Sequence, residues 1–167
     1  VIDSKTFHAL LEHFASKHPE YLGALTVAGF CGLRRSEIHA QTWEDVSLQR
    51  RFVRVTVAKR NTPARRLVPL STYAVEWLMR CANRSGSICP NLAIDRIRDI
   101  GRVAGFNLPG NCFRHSFISH RVAQISDVAA VALEAGNSPQ VIFRHYRELF
   151  TKAEGRAWFS NRTTVSN

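Results

Sequence analysis

The chain has 167 residues, 45% apolar and 22% charged, a composition that suits one globular domain with a single substantial core. Its 23 Lys and Arg against 13 Asp and Glu give a net charge of +10, which points to a polyanionic partner, DNA or RNA first, ahead of a solvated basic surface or a ribosome-like or membrane-surface protein. No apolar run reaches the ~20 residues of a membrane span and no signal peptide is expected, while Cys31, Cys81, Cys89 and Cys112 form no C-x-x-C pair and so indicate neither zinc nor a disulfide framework.

In chain order, Ser4 is placed to cap a helix running to about Pro19, with Phe7, Leu10, Leu11 and Phe14 on one face. A second, apolar helix follows over about 20–32, and a short one over 34–41. The periodicity then changes. Phe52, Val53, Val55 and Val57 form a β-branched strand and Leu67-Val68-Pro69-Leu70 a second, joined through the basic turn 58–66 as a hairpin. From Ser71 helical periodicity returns over about 71–82, 91–104, 111–123, 126–135, 139–146 and 152–160. Gly86, Pro90, Pro109-Gly110, Gly136 and Pro139 punctuate these segments, and 161–167 is a polar tail expected to be flexible. The expected fold is mainly α with a small antiparallel β-hairpin or sheet, in one domain over 1–167; no βαβ pattern supports a doubly wound fold. Cys31 and Cys112 are expected as buried thiols in a reducing compartment.

Four segments carry candidate chemistry. In Gly32-Leu33-Arg34-Arg35-Ser36-Glu37, Arg34 stands at a helix start, where free amides and the helix dipole favour an anion, and its planar guanidinium suits phosphate oxygens. Glu37, three residues on, is placed to pair with Arg34 or to fix the turn. In Asn111-Cys112-Phe113-Arg114-His115, Arg114 also lies in a first turn, with Asn111 one turn behind it. In Phe143-Arg144-His145-Tyr146, a tyrosine sits close to further cations. Its phenol titrates near pH ~10, so it becomes a nucleophile only where positive charge gathers around it and its target. Lys59 in the hairpin turn is a long, mobile cation able to donate a proton, and Arg60, Arg65 and Arg66 beside it suit DNA-backbone contact, as does Arg35. His115 fits a structural, hydrogen-bonded role better than that of a base.

In this order the segments resemble the tyrosine recombinase, or phage-integrase, family. Val27 to Ile38 with Thr42-Trp43-Glu44-Asp45-Val46 is similar to the first catalytic-arginine motif. Val57-Ala58-Lys59 with Arg66-Leu67-Val68-Pro69-Leu70 is similar to the lysine hairpin. Asn111 to Phe117 resembles the second-arginine motif, and Gly136-Asn137-Ser138 with His145-Tyr146 the segment that ends in the nucleophile. The resemblance covers about 5–160.

The resemblance implies the DNA breaking-rejoining catalytic-domain fold and a site-specific recombinase or integrase. Tyr146 would attack a phosphodiester to give a 3′-phosphotyrosyl bond, Arg34 and Arg114 would stabilise the transition state, and Lys59 would protonate the leaving 5′-oxygen, with no metal, cofactor or ATP. It also implies double-stranded DNA as partner, a homo-tetramer on DNA from a monomer in isolation, and a cytoplasmic, nucleoid-associated protein of prokaryotic or phage origin. Family members carry an additional N-terminal helical domain that nothing here resembles, and the start at Val1 fits an excised catalytic domain. Two positions depart from the family pattern. Asn111 and Asn137 stand where histidine (or lysine, or tryptophan) is usual, and asparagine can hold a phosphate but cannot shuttle a proton. They are expected to position phosphate in a slower enzyme. The alternatives are a catalytically weakened DNA-binding relative and a helix-turn-helix regulator built on 111–123. The 152–160 segment, with Trp158 and Phe159, fits equally a helix exchanged between copies and a last helix packed on its own core.

Overall fold

A computed structural model describes residues 1–56, 65–90, 93–145 and 150–160. Among these the architecture is mainly helical with one small antiparallel sheet. Helix α1 (Ser4–Lys17) buries Phe7, Leu10, Leu11 and Phe14, the face its spacing predicts. Its cap lies one residue earlier than expected: the Asp3 carboxylate, on extended backbone, accepts from the Thr6 amide at 2.7 Å. Asp3 therefore takes the capping role and Ser4 begins the helix. After a 3-10 turn at Pro19–Tyr21, α2 (Leu22–Cys31) runs through the centre with all 10 of its residues buried. A helix apolar all round has no solvent face to offer, so the other elements must wrap it.

Helix α3 (Arg35–Ala40) follows a left-handed turn at Gly32. The sheet then forms with order β1 (Val46–Ser47), β2 (Phe52–Val55) and β3 (Arg66–Pro69), pairing Val46 with Val53 and Val53 with Val68. The short β1 adds a strand to the expected hairpin. Val53, Val55 and Val68 are fully buried while Arg54 and Leu67 face outward, the period-two alternation of a half-buried sheet.

The rest is helical: α4 (Thr72–Met79), α5 (Ala93–Val103), α6 (Cys112–Ile125), α7 (Val128–Ala135), α8 (Pro139–His145) and α9 (Lys152–Trp158). Helix α9 packs across α6 on its own core. A Cβ at Gly155 would stand 2.6 Å from the His120 carbonyl oxygen, so glycine is what lets the two helices approach so closely. Trp158 stacks on Phe7 at 4.3 Å and its Nε1 donates to the Gly29 carbonyl at 3.0 Å. All four cysteines are buried and unpaired, and burial pushes their thiols up, Cys81 and Cys89 each to about 11.

Candidate active site

The site is assembled where three chain reversals meet. Gly32 ends α2 in the left-handed region, Leu33 is buried, and Arg34 is delivered on extended backbone to the start of α3. Glu37, one turn into α3, turns back. Its Oε2 accepts from the Arg34 amide at 2.7 Å and its Oε1 from Arg34 Nη1 at 2.9 Å. Glu37 thus both pairs with Arg34 and fixes the turn, which fills an orphan helix-terminal donor and aims the guanidinium in one step.

A second guanidinium meets the same carboxylate. From β3, Arg66 donates through Nη1 to Oε1 at 2.9 Å and through Nη2 to Oε2 at 2.7 Å, a bidentate pair. Its Nε donates to the Glu134 carbonyl at the end of α7 at 2.8 Å. Two residues on, the Gly136 carbonyl accepts from Arg34 Nη2. Gly136 lies in the left-handed region at φ +64°, and a Cβ there would stand 2.9 Å from Arg66 Nη1 and 3.1 Å from Arg34 Nη1. Glycine serves here both the turn and the close approach of two guanidinium groups.

Glu37 is 2% exposed. Burial works against its charged form, but hydrogen bonds from Arg66 and the Arg34 amide, with the two guanidinium charges, outweigh that and hold its carboxyl below the usual value.

Arg114 reaches the same place from the first turn of α6, its Nη1 donating to the Gly32 carbonyl at 2.5 Å. Asn111 precedes that helix at φ +55°, in the left-handed conformation asparagine tolerates better than most residues. Arg34, Arg35, Ser36, His39, Asn111, Arg114 and His115 line one open cleft of about 670 Å³. The two arginine motifs, 80 residues apart in sequence, therefore converge on a concave, positively charged surface.

The other expected site residues are distributed differently. Lys59, Arg60 and Tyr146 lie outside the described residues. The described part of helix α8 reaches His145, the residue before the tyrosine. Arg65 is exposed at the foot of β3. Arg35 is exposed and ion-paired with Asp95 of α5. Asn137 follows Gly136 with its amide bonded to the Ala132 carbonyl at 2.9 Å, part of the cap that ends α7. Arg66 departs from expectation. Its side chain, expected from the sequence at a DNA backbone, is only 10% exposed and is committed to Glu37 and the Glu134 carbonyl. The signal was present in the strand period, because Arg66 shares a face with Val68, two residues on and buried. His39 was not singled out from the sequence, and only its place on the cleft wall reveals it.

The sequence profile of the phage integrase family matches residues 1–152. Among solved structures, XerA recombinase matches with TM-score 0.72 and 20% identity over 97% of this chain and 63% of its own. The integrase from mycobacterium phage Brujita matches with TM-score 0.65 and 21% identity over 99% and 60%. The Tn1549 transposon integrase, solved in complex with transposon right end DNA, matches with TM-score 0.63 and 15% identity over 90% and 62%. The chain spans less than two thirds of the length of each of these structures. None of the curated proteins matches the sequence significantly. No helix among the described residues is long and apolar enough to cross a membrane.

Proposed function

Because the chain belongs to the phage integrase family, we propose that it is the catalytic domain of a site-specific DNA recombinase, with Tyr146 as nucleophile. The observation that supports this most is the convergence of Arg34 and Arg114 on one cleft, each with a guanidinium nitrogen held by a glycine carbonyl. Held in that way, the two groups need little reorganisation when charge develops on a phosphate, the condition under which electrostatic stabilisation contributes most.

In the reaction, the Tyr146 oxygen bonds to phosphorus as the phenol gives up its proton to solvent water. Arg34 and Arg114 neutralise the non-bridging oxygens of the five-coordinate transition state. The bond to the 5′-oxygen breaks, Lys59 protonates that oxygen, and the DNA is left joined to the protein through a 3′-phosphotyrosine. Attack by a partner strand's 5′-hydroxyl reverses these steps and conserves the bond energy. Asn111 and Asn137 hold the phosphate without carrying a proton. General acid–base help is worth about 10²–10⁴ in rate, so strand cleavage is slow compared with relatives that have histidine there. Arg35, Arg60 and Arg65 contact the DNA backbone, and the assembly on two duplexes is a tetramer. XerH recombinase, solved bound to a palindromic difH substrate in a post-cleavage complex, shares the fold at TM-score 0.58 and 18% identity over 88% of this chain and 50% of its own, which fits DNA as the substrate here. The two asparagines also favour a second reading, a relative that binds DNA and has lost cleavage.

A pool of nicked duplexes with randomised sequence around the nick separates the two. The nick lets the short 5′-hydroxyl fragment diffuse away and traps the intermediate. The expected result is an SDS-resistant protein–DNA adduct with the wild-type chain and none with Tyr146→Phe. No adduct from the wild type defeats the enzyme reading.

A further inference from the structure

Three charged groups share one knot: Arg34, Glu37 and Arg66. They differ in depth. The Glu37 and Arg66 side chains are 3% and 10% exposed, whereas that of Arg34 is 33% exposed and lines the cleft. Without Arg66, a buried carboxylate 2.9 Å from Arg34 Nη1 would form a one-to-one pair with it, and an incoming phosphate would have to compete for that guanidinium. With Arg66 bidentate on both Glu37 oxygens, the knot holds two positive charges against one negative. The surplus falls on the member that faces the cleft.

We infer that Arg66 is a positioning residue that satisfies the Glu37 carboxylate and so keeps the charge of Arg34 available to a phosphate group in the cleft. The inference rests on the phosphate-binding role of Arg34 in the proposed function. A second consequence follows from the same contacts. Arg66 ties β3, which follows the 57–64 segment carrying Lys59, to the Glu134 carbonyl of α7. Two residues later the Gly136 carbonyl holds Arg34. Strand β3, the first arginine and the segment leading to Tyr146 are thereby set against one another through the side chains of Arg66, Glu37 and Arg34.

The test uses inorganic phosphate as the probe, followed by ³¹P NMR titration, and reads the component of binding that Arg34→Ala removes. No DNA cleavage is needed, so failure of the recombinase reading and failure of this one are distinguishable. Arg66→Met is expected to weaken that component by about tenfold, as Glu37 then quenches Arg34. Arg66→Lys, which keeps the charge but loses the bidentate fork, is expected to stay within about threefold of wild type. The double variant Glu37→Gln with Arg66→Met removes one charge of each sign and is expected to recover most of the loss. A brace that acts only by shape predicts the opposite order, with Lys as damaging as Met and the double variant no better than the single. That order overturns the inference. So does a wild-type chain with no Arg34-dependent phosphate binding. Thermal unfolding of each variant establishes that folded protein is compared. If Arg66→Met does not fold, the comparison of Arg66→Lys and the double variant with wild type decides alone.

Discussion

Glu37 and His120 lie equally deep, 2% and 1% exposed, and the fold treats their charges in opposite ways. Glu37 is surrounded by donors: two guanidinium groups and a backbone amide, all at 2.7–2.9 Å. His120 lies on α6 between ring faces, with Phe150 at 3.9 Å and Trp158 at 4.4 Å. Its Nε2 has the Ile2 carbonyl at 3.2 Å, and its buried Nδ1 has no partner at hydrogen-bonding distance among the described residues. Burial pushes its pKa down to about 4, opposed only in part by the Ile2 carbonyl, the charges of Glu154 and Asp3, and the Glu154 backbone. Depth therefore does not decide whether a group stays charged; the atoms facing it do. The ionic knot belongs to the cleft, and the neutral stack belongs to the seam where α9 closes the core.

The largest break in this comparison is Glu37→Leu. It leaves the Arg66 guanidinium, 10% exposed, without a counter-ion, and removing one partner of a buried pair costs about 3–5 kcal/mol. Urea unfolding at neutral pH measures it. A loss below about 1 kcal/mol would mean that water reaches the knot and that pairing is not what keeps Glu37 ionised. Since the folded carboxyl lies below its usual value, its contribution is present above the unfolded pKa and is lost as pH falls through the folded one.

His120 should act in a different window. Unfolded, the imidazole titrates near 6.5, and folded near 4. Between these the unfolded chain holds the additional proton, so stability falls as pH is lowered and is unaffected above the upper value. The full effect amounts to at most about 3 kcal/mol. In His120→Leu the fall in melting temperature from pH 7 to pH 4.5 should be shallower than in the wild type. Equal slopes would show that the stack does not hold the ring neutral.

The sequence carried the elements and the motif order because both are local. Helical spacing at Phe7, Leu10, Leu11 and Phe14 predicts the buried face of α1, and the valines of the hairpin predict the sheet. The pairing of Arg34 with Glu37 was visible because the two are one turn apart. What it did not carry was long-range partner choice. Arg66 lies 29 residues from Glu37 and 68 from Glu134, and a basic stretch around Lys59 looks like a DNA surface until strand pairing fixes which arginine turns inward. The stack on His120 needs α6 and α9 docked first, and nothing near His120 in sequence announces an aromatic sandwich. Tyr146 and Lys59 rest on motif order alone, since both lie outside the described residues.

The smallest expected effect isolates hydrogen bonding from burial altogether. Glu154, in the first turn of α9, is exposed, yet its carboxyl is held below the usual value, first by the Thr151 amide and then by the Thr151 hydroxyl. Both donate to Oε2 at 2.7 Å, and the hydroxyl accepts from the Glu154 amide in return. Thr151→Ala removes the hydroxyl from both roles and should cost about 1 kcal/mol, the usual loss for a helix cap. It should also move the Glu154 titration upward only part of the way, because the backbone amide remains, and an NMR pH titration of the side chain reads this directly. A Glu154 value that does not move would assign the effect to the amide and the helix dipole alone. A partial rise would show the principle at work in Glu37 operating here with no burial at all: oriented donors, at hydrogen-bond distance, are enough to favour a carboxylate's charge.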